Sequence, residues 1–431
     1  METKDLPIKR QAKNWLSWEN VWKSALGVWL IAQVALIIVF WDCPQRSDQA
    51  AYMRMAQDCY ERGVWYPNAD YINASYIWAP GLINFFILQL KLFGTLKFNY
   101  IFNLAMNIGI LWNVFILSNR WFSRRTALIA TTLFCLTFSN IMVVLPAGTE
   151  IPFLFLALMA FTLSLKKKCG WLIMAGTMFA FANWIRPLVI IFLPVILLFF
   201  YMKKYNVRHY IALLLPLIFF TLSFGWMAQR QIGHFVYQST TSAVNLIMTA
   251  NDKAYGGVST SLFKDSTSTC FIENAQNRTF LEKDSIWKAR SIAWIKEHPA
   301  KFMGLYMLKF VGLYVEDSWA ERPILGGDAF VDKAAHGKAD KKAIIERVWN
   351  MLSKSIVYYI ILVLFVIAVV KYRTSWCSDK GYLLLIFALG TLTTCIFSVS
   401  PRYHYPMMFA ITIWAAYGID RMTTKKEESL C

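Results

Sequence analysis

The sequence predicts an all-α, polytopic transmembrane protein with about 10 to 13 spans. The first reason is composition, since 57% of the 431 residues are hydrophobic and only 16% are charged. A water-soluble enzyme of this length is far less apolar. The second reason is pattern, because long apolar runs recur along the chain and short clusters of Lys and Arg separate them. A multi-pass integral membrane protein follows from both.

At about 20 residues for each bilayer crossing, the chain contains eleven candidate spans. They are residues 21–41, 79–95, 98–119, 126–146, 151–165, 170–185, 188–202, 210–230, 355–371, 381–399 and 404–419. Residues 299–315 are only weakly apolar and carry Lys301 and Lys309, so this segment either crosses or lies along the interface. The first run ends in Trp41-Asp42 and not at a small-residue cleavage site, so it is expected to remain as the first span.

Basic residues set the expected orientation. Lys and Arg precede the first span, which places the N-terminus in the cytoplasm and the next loop outside. The later basic clusters fit best if residues 79–119 make one net crossing and if 299–315 does not cross. Residues 1–431 are then one membrane domain, expected in a bacterial inner (plasma) membrane with its active site facing outside. The external loops of this arrangement are residues 42–78, 231–298 and 316–350.

The net charge of +18 does not indicate a nucleic-acid partner. Lys and Arg form short clusters beside apolar runs, as at residues 166–168 and 203–208, which is typical of contacts with anionic headgroups. The eight cysteines include no CxxC pair and no metal-ligand spacing, so no metal-binding residues are predicted. Cys43, Cys59 and Cys270 fall in expected external loops, and a disulfide between Cys43 and Cys59 is left open.

The first loop contains a short amphipathic helix. Within "SDQAAYMRMAQDCYERG", residues 47–63, apolar side chains recur at spacings of three and four, and Gly63 is well placed to end the helix. Such a helix is expected to lie on the membrane surface with its apolar face down. That face consists of Ala51, Tyr52, Met55, Ala56, Cys59 and Tyr60.

Asp48 lies in the first turn of this helix, behind Ser47. One interpretation is structural, because a cap or an acid in the first turn stabilises a helix by about 0.3–1 kcal/mol. The other interpretation is chemical: a carboxylate at the membrane surface can act as a general base for an acceptor that arrives from outside. The local sequence leaves both open.

Two further candidates lie where spans begin. Trp78 and Pro80 open the second span at the level of the interface, and proline is tolerated in a first helical turn. Glu150, in "LPAGTEIPFLF", lies between two apolar runs. An acid at such a depth is costly and indicates a functional site, although a simple loop carboxylate is an alternative.

Two arginines and a histidine are further candidates. Arg186 directly precedes Pro187 at a span boundary, and Arg402 and His404 precede the last span. A single arginine at such a place often only extends toward the headgroups. Two arginines that converge on the outer face would bind phosphate, because guanidinium groups donate bidentate hydrogen bonds. His404 is more typical of interface packing than of catalysis.

The motifs "SDQAAYMRMAQ", "WAPGLINFFILQLKLFG", "LPAGTEIPFLF", "NWIRP" and "RYHYPMMFAITIWAAYGID" occur in this order between residues 20 and 420. The arrangement resembles the C-type glycosyltransferases, multi-span enzymes that use polyprenyl-phosphate sugars. Within them it is most similar to the dolichyl-phosphate-mannose protein mannosyltransferases and the aminoarabinose lipid A transferases. Gln49 departs from the pattern, because the family usually has a second acid there.

The resemblance implies an inverting sugar transfer. Asp48 would deprotonate an acceptor hydroxyl, while Arg402 and then Arg186 would stabilise the departing lipid phosphate. The other residues expected to bind substrate are Glu150, His404, Tyr52 and Trp78. The donor would be a polyprenyl-phosphate sugar held with its tail among the spans; no cofactor is required, and a divalent cation is left open.

The expected partners are the lipid-linked donor, membrane lipids and an acceptor that is protein, lipid or glycan. A glycan polymerase or ligase would differ only in the length of the transferred chain. A transporter or flippase would predict inverted repeats and paired broken spans, which the sequence does not display. A structural scaffold is the remaining alternative.

Overall fold

A computed structural model describes residues 18–326 and 340–428. These residues form a bundle of α-helices joined by loops and 3₁₀ turns, so the all-α fold class is confirmed. The helices are α1 (Trp18–Val39), α2 (Ser47–Glu61), α3 (Pro80–Phe93), α4 (Asn99–Trp121), α5 (Arg124–Leu136), α6 (Phe138–Met142), α7 (Glu150–Ser164), α8 (Cys169–Ile185), α9 (Leu193–Met202), α10 (Val207–Ile232), α11 (Ser242–Ile247), α12 (Phe280–Glu297), α13 (Pro299–Tyr314), α14 (Arg322–Leu325), α15 (Lys341–Lys354), α16 (Ile356–Lys371), α17 (Gly381–Thr394) and α18 (Met408–Glu428).

Every predicted span contains at least one helix, but most helices are shorter than predicted. Within the described residues, α1, α4 and α10 are long and apolar enough to cross a membrane. Helices α15 and α16, bent by 61°, count as a fourth if they form one span. Other apolar helices, among them α3, α7, α8 and α17, have 10–17 residues. The predicted span 126–146 is interrupted by the break between α5 and α6. The chain is an integral membrane protein, and its number of crossings stays a prediction.

Helix α8 organises one half of the bundle by packing against α7 and α10, while α5 packs against α1, α4 and α18 in the other half. Close approach needs glycine at one point: a Cβ on Gly176 would lie 2.0 Å from the carbonyl oxygen of Leu213 in α10. The rings of Phe192 and Phe409 stack 6.2 Å apart between the halves, and both side chains are fully buried. The site described below therefore rests on a continuous apolar core.

Basic residues collect at the end of the bundle where α1 begins. Arg124 at the start of α5 pairs with Glu19 of α1 at 3.7 Å, and Arg125 pairs with Asp420 of α18 at 3.5 Å. At the end of α4, Arg120 donates to the carbonyl oxygen of Leu165 at 3.1 Å. The clusters that were expected in the cytoplasm thus share one end of the bundle.

Helices α3 and α13 lie at the other end. Lys97, which follows α3, forms an ion pair with Asp42 just beyond the end of α1, so α4 alone carries the chain to the basic end. Helix α13 lies beside the C-terminal turn of α17, where Tyr306 donates to the carbonyl oxygen of Leu392 at 2.8 Å. This end, where α1 and α17 finish, is called the site end.

The amphipathic helix of the first loop is α2, and its predicted start agrees with the structure. Its apolar face, however, packs against α3 inside the protein, with Tyr52, Ala56 and Cys59 buried. The expectation that this face rests on lipid was wrong. The pattern of spacings identifies a buried face but does not distinguish lipid from protein as its partner.

Residues 233–298, here called the loop module, were expected to be a loop and contain α11 and α12 around a small core of their own. The module contacts the first loop, where the N–H groups of Phe280 and Thr240 donate to the carbonyl oxygens of Ile72 and Ile77, each at 2.9 Å. On its other side, the N–H of Ser398 donates to Asn245 at 3.1 Å. The module thus connects the two segments that carry Asp48 and Arg402.

The predicted loop 316–350 contains α14 and the first part of α15, and residues 327–339 lie outside the described part of the chain. Cys43 and Cys59 are free thiols, so the disulfide left open above is not formed. Cys59 is buried and accepts a hydrogen bond from Asn68 at 3.3 Å. Burial raises the pKa of the Cys59 thiol to about 11, which keeps it protonated and unreactive.

Candidate functional site

Asp48 and Arg402 form an ion pair at the site end. Asp48 lies in the first turn of α2, and Arg402 lies in a 3₁₀ turn, Pro401–Met407, that leads into α18. Their side chains are 28% and 23% exposed, so the pair is accessible but not freely solvated. No side chain caps α2 with a hydrogen bond, but Asp48 lies in its first turn, where the helix N-terminus favours a negative charge.

A second acid–arginine pair is more deeply buried. Glu150 is the first residue of α7, and Arg186 directly follows α8. Their charged atoms lie 2.8 Å apart, and their side chains are 4% and 11% exposed. The helix N-terminus favours the negative charge of Glu150, and Thr149 Oγ1 accepts a further hydrogen bond from Arg186 at 3.4 Å.

Tyr403 connects the two pairs. Its ring centre lies 5.0 Å from the guanidinium carbon of Arg186 and 5.4 Å from that of Arg402. Both distances are within cation–π range. Burial disfavours the charge on Arg402, but the neighbouring Asp48, Tyr403 and Glu150 outweigh it and raise the pKa of the guanidinium well above its ordinary value. Tyr403 therefore helps to hold both guanidinium groups in place, and Arg402 stays charged.

Aromatic side chains form one wall beside Asp48. The ring of Trp78 meets the rings of Tyr52 and Tyr76 edge to face, each at 5.0 Å between centroids. Burial, and then the charge of Asp48, raise the pKa of the Tyr52 phenol well above its ordinary value, so this hydroxyl stays neutral. Trp78 and Tyr76 remain partly exposed and offer ring surface to a ligand.

The neutral side chain of Gln49, where the family pattern has an acid, is explained by its surroundings. Its side chain is buried, at 1% exposure, and points toward Gly148. A Cβ at Gly148 would lie 3.6 Å from Gln49 Nε2 and 2.4 Å from Glu150 Oε2. An acid at position 49 would bring a second buried carboxylate close to Glu150, which like-charge repulsion disfavours. The neutral amide is therefore compatible with Glu150.

His404 does not reach this site. Its side chain is fully buried and faces Asp317. The other six candidates named from the sequence lie together: Asp48, Arg402, Glu150, Arg186, Tyr52 and Trp78. Sequence reasoning missed Tyr403, Tyr76 and Asp317. The position of Tyr403 beside Arg402 was an available signal, whereas nothing in the sequence related Tyr76 or Asp317 to the site.

An apolar groove opens next to the second pair. It has a volume of about 440 Å³ and lies among α3, α4, α7, α8 and α10. Pro152 and Ile185, which line it, are close in sequence to Glu150 and Arg186. Its wall also includes Phe155, Leu156 and Trp184. An elongated apolar ligand would fit in this groove.

The donor set does not fit a metal ion. Among the described residues, no group of three or more His, Cys, Asp or Glu side chains could hold one. The two site carboxylates already have guanidinium partners. A phosphate at this site would be met by arginine side chains, so no metal-dependent step is derived.

No protein-family model matches this sequence, and no curated protein matches it. Solved structures do match. The apo oligosaccharyltransferase of Archaeoglobus fulgidus has a TM-score of 0.50 at 11% identity, with 96% of this chain and 51% of that chain covered. The same organism's AglB, in complex with an inhibitory peptide and a dolichol-phosphate, has a TM-score of 0.45 at 12% identity over 95% and 51% of the two chains. ArnT from Cupriavidus metallidurans, bound to undecaprenyl phosphate, has a TM-score of 0.40 at 11% identity over 93% and 78%.

These structural neighbours are GT-C glycosyltransferases. At 11% identity, the match to the oligosaccharyltransferase shows a common fold, and this chain spans about half the length of that protein. The chain therefore has the GT-C fold, and the resemblance expected from the sequence is confirmed at the level of the fold.

Proposed function

We propose that this protein is a glycosyltransferase that moves a sugar from a polyprenyl-phosphate donor to an acceptor hydroxyl at the outer face of the membrane. The observation that carries the proposal is the pairing of Asp48 with Arg402 beside the pair of Glu150 and Arg186. It combines a candidate base with two fixed cations. The GT-C fold supports the same reaction class.

The two guanidinium groups are the proposed phosphate site. Tyr403 holds both, so their donors need little reorganisation when the phosphate arrives. In the free protein, however, each arginine already has a carboxylate partner. The lipid phosphate therefore competes with Asp48 for Arg402, the more exposed of the two arginines. Donor binding would replace the carboxylate at the guanidinium and release Asp48.

Release matters because a carboxylate oxygen that is bound to a guanidinium is not free to accept the proton of an acceptor hydroxyl. Once released, Asp48 takes the proton of the acceptor hydroxyl, and that oxygen attacks the anomeric carbon. The bond between this carbon and the phosphate oxygen breaks, and the lipid phosphate leaves with the electron pair. A single displacement of this kind inverts the configuration at the anomeric carbon.

The groove and the aromatic wall complete the proposed donor site. The groove of about 440 Å³ would hold the first isoprene units of the tail next to the phosphate. Trp78 and Tyr76 would pack against the apolar face of the sugar ring. Positioning of this kind supplies much of the rate when the leaving group is already a stable phosphate.

The test is transfer by the purified full chain in lipid nanodiscs. Radiolabelled polyprenyl-phosphate monosaccharides are supplied with peptide, lipid and glycan acceptors, and lipid-linked oligosaccharides are supplied in parallel. We expect transfer from monosaccharide donors, and the Asp48→Asn variant should lose it while remaining folded. The matched control is Asp58→Asn, which removes an exposed carboxylate from the same helix and should retain activity.

Each outcome has a clear meaning. Full activity of Asp48→Asn would show that Asp48 is not the base. Transfer only from lipid-linked oligosaccharides would identify a polymerase or ligase. Absence of transfer from any donor, together with movement of the lipid across the bilayer, would favour a flippase.

A further inference from the structure

A buried contact between an acid and an imidazole lies behind the candidate site. Asp317 and His404 are both fully buried, and Asp317 Oδ1 lies 3.5 Å from His404 Nε2. Asp317 Oδ2 accepts the N–H of Ser139 at 2.9 Å. His404 Nδ1 lies 2.9 Å from the carbonyl oxygen of Leu313. A carbonyl oxygen can only accept, so Nδ1 carries a proton and donates it.

The two facing atoms depend on each other. Among the described residues, neither Asp317 Oδ1 nor His404 Nε2 has a hydrogen-bond partner, and the two atoms face each other at 3.5 Å. Because Nδ1 already donates to Leu313, the contact is attractive only when a further proton lies on Nε2 or on Oδ1. Burying either atom without a polar neighbour is costly, and here each is the other's polar neighbour. The rings of Tyr314 and Tyr358 stack on the imidazole at 5.9 and 5.0 Å, which fixes its plane.

This contact anchors the segment that presents Arg402. His404 lies two residues after Arg402 in the 3₁₀ turn Pro401–Met407. Successive residues of a 3₁₀ helix are a third of a turn apart, so one side of the segment can face the site while another faces the core. Arg402 meets Asp48 on the first side, and His404 meets Asp317 on the second.

Asp317 is itself held firmly. Its N–H donates to Ser355 Oγ at 2.9 Å, between α15 and α16. The preceding residue, Glu316, pairs with Arg347 of α15 at 3.4 Å. The acid is therefore a fixed point against which the turn is placed, although it contacts none of the six clustered candidates.

We propose that Asp317 is a positioning residue: through His404 it fixes the turn that aims the guanidinium of Arg402 at the donor phosphate. The proposal rests on the proposed function, since it concerns the phosphate site of the same reaction. It predicts that replacing the carboxyl group of Asp317 weakens phosphate recognition only through Arg402.

The test is a double-mutant cycle on binding of undecaprenyl phosphate to the purified full chain. We expect Asp317→Asn to weaken binding about tenfold when Arg402 is present, the effect of a small misplacement of a binding group. In the Arg402→Gln background the same substitution should have no measurable effect. Equal weakening in both backgrounds, or no weakening in either, would overturn the positioning role.

Two further variants complete the design. His404→Gln, whose amide can donate to Leu313 or to Asp317 but not to both, should weaken binding in the same Arg402-dependent way and serves if Asp317→Asn does not fold. The matched control is Asp420→Asn, a buried carboxylate at the basic end that accepts hydrogen bonds from Ser123 and Thr126, each at 2.7 Å. Asp420→Asn should leave binding unchanged. If it weakens binding as much as Asp317→Asn does, the effect of Asp317→Asn is general destabilisation and the positioning role is overturned.

Transfer by the wild-type chain is measured alongside binding. If the wild-type chain transfers sugar but Asp317→Asn and Arg402→Gln weaken binding independently of each other, the positioning role fails and the proposed function stands. If it binds undecaprenyl phosphate with the expected coupling but transfers no sugar, the proposed function fails and the role of Asp317 in phosphate recognition stands.

Discussion

Asp48 and Arg402 are 354 residues apart in the sequence and form an ion pair at the site end of the bundle. The pairing brings the first loop against the turn that precedes the last helix. It also means that the candidate base and the candidate phosphate ligand neutralise each other before substrate binds.

If the lipid phosphate replaces Asp48 at Arg402, one variant should bind the lipid phosphate and yet fail to transfer sugar. Asp48→Asn removes the carboxylate that competes with the lipid phosphate, so it should bind undecaprenyl phosphate at least as tightly as the wild type while losing transfer. Equilibrium binding of the labelled lipid to the purified chain measures the first effect. Weaker binding in Asp48→Asn would contradict the exchange, and Arg402→Gln provides the opposite control.

The second ion pair predicts a stability effect. Glu150→Gln keeps the shape of the side chain but leaves Arg186, 11% exposed, without its charged partner. Loss of one partner of a buried pair costs about 3–5 kcal/mol, so the melting temperature should fall clearly. The double variant Glu150→Gln, Arg186→Gln should recover part of this loss. Thermal unfolding in one detergent compares all three, and an unchanged melting temperature for Glu150→Gln would contradict the burial of the pair.

Gly148→Ala tests the packing around Glu150. The added Cβ would lie 2.4 Å from Glu150 Oε2, so the carboxylate has to move away from its present position beside Arg186. We expect transfer to fall about 10- to 100-fold, the effect of a displaced group near the reacting atoms. Gly170→Ala is the control because its Cβ would meet nothing within 4 Å, and initial rates should not change. Equal rates for both variants would show that Glu150 tolerates the displacement.

The groove predicts a dependence on lipid length. Leu156→Trp puts an indole ring into the groove in place of a smaller side chain. It should raise the KM for a long-chain polyprenyl donor about tenfold, while the KM for a donor with one or two isoprene units should be less affected. Leu222→Trp places the same ring on an exposed face of α10, where Leu222 is 54% exposed, and should have no effect. KM values for both donors with each variant decide the matter, and a rise independent of chain length would place the tail elsewhere.

Much of the fold was predictable from local pattern, since apolar runs located the helices of the predicted spans and spacings of three and four located α2. The helices α11 and α12, which lie in a predicted loop, were not located. Breaks within apolar runs, as at α5 and α6, and the partner of the apolar face of α2 were also missed, because they depend on tertiary packing and not on composition.

Charges beside apolar runs located Glu150, Arg186 and Arg402, because burying them is costly wherever they occur. Asp48 was located instead by its place in the first turn of the amphipathic helix and by the family resemblance. Asp317 lies in a polar stretch and had neither signal.

The equal number of acids and arginines at the site has a consequence for how charge moves during transfer. In the proposed reaction the donor is a phosphodiester with one negative charge, and the released lipid phosphate would carry about −1.5 to −2 at neutral pH. The proton accepted by Asp48 would remove one negative charge at the moment the phosphate gains one. The total charge at the site therefore stays nearly constant, and negative charge passes from one side of Arg402 to the other. Arg402 would thus have an anionic neighbour throughout the cycle, first Asp48 and then the phosphate.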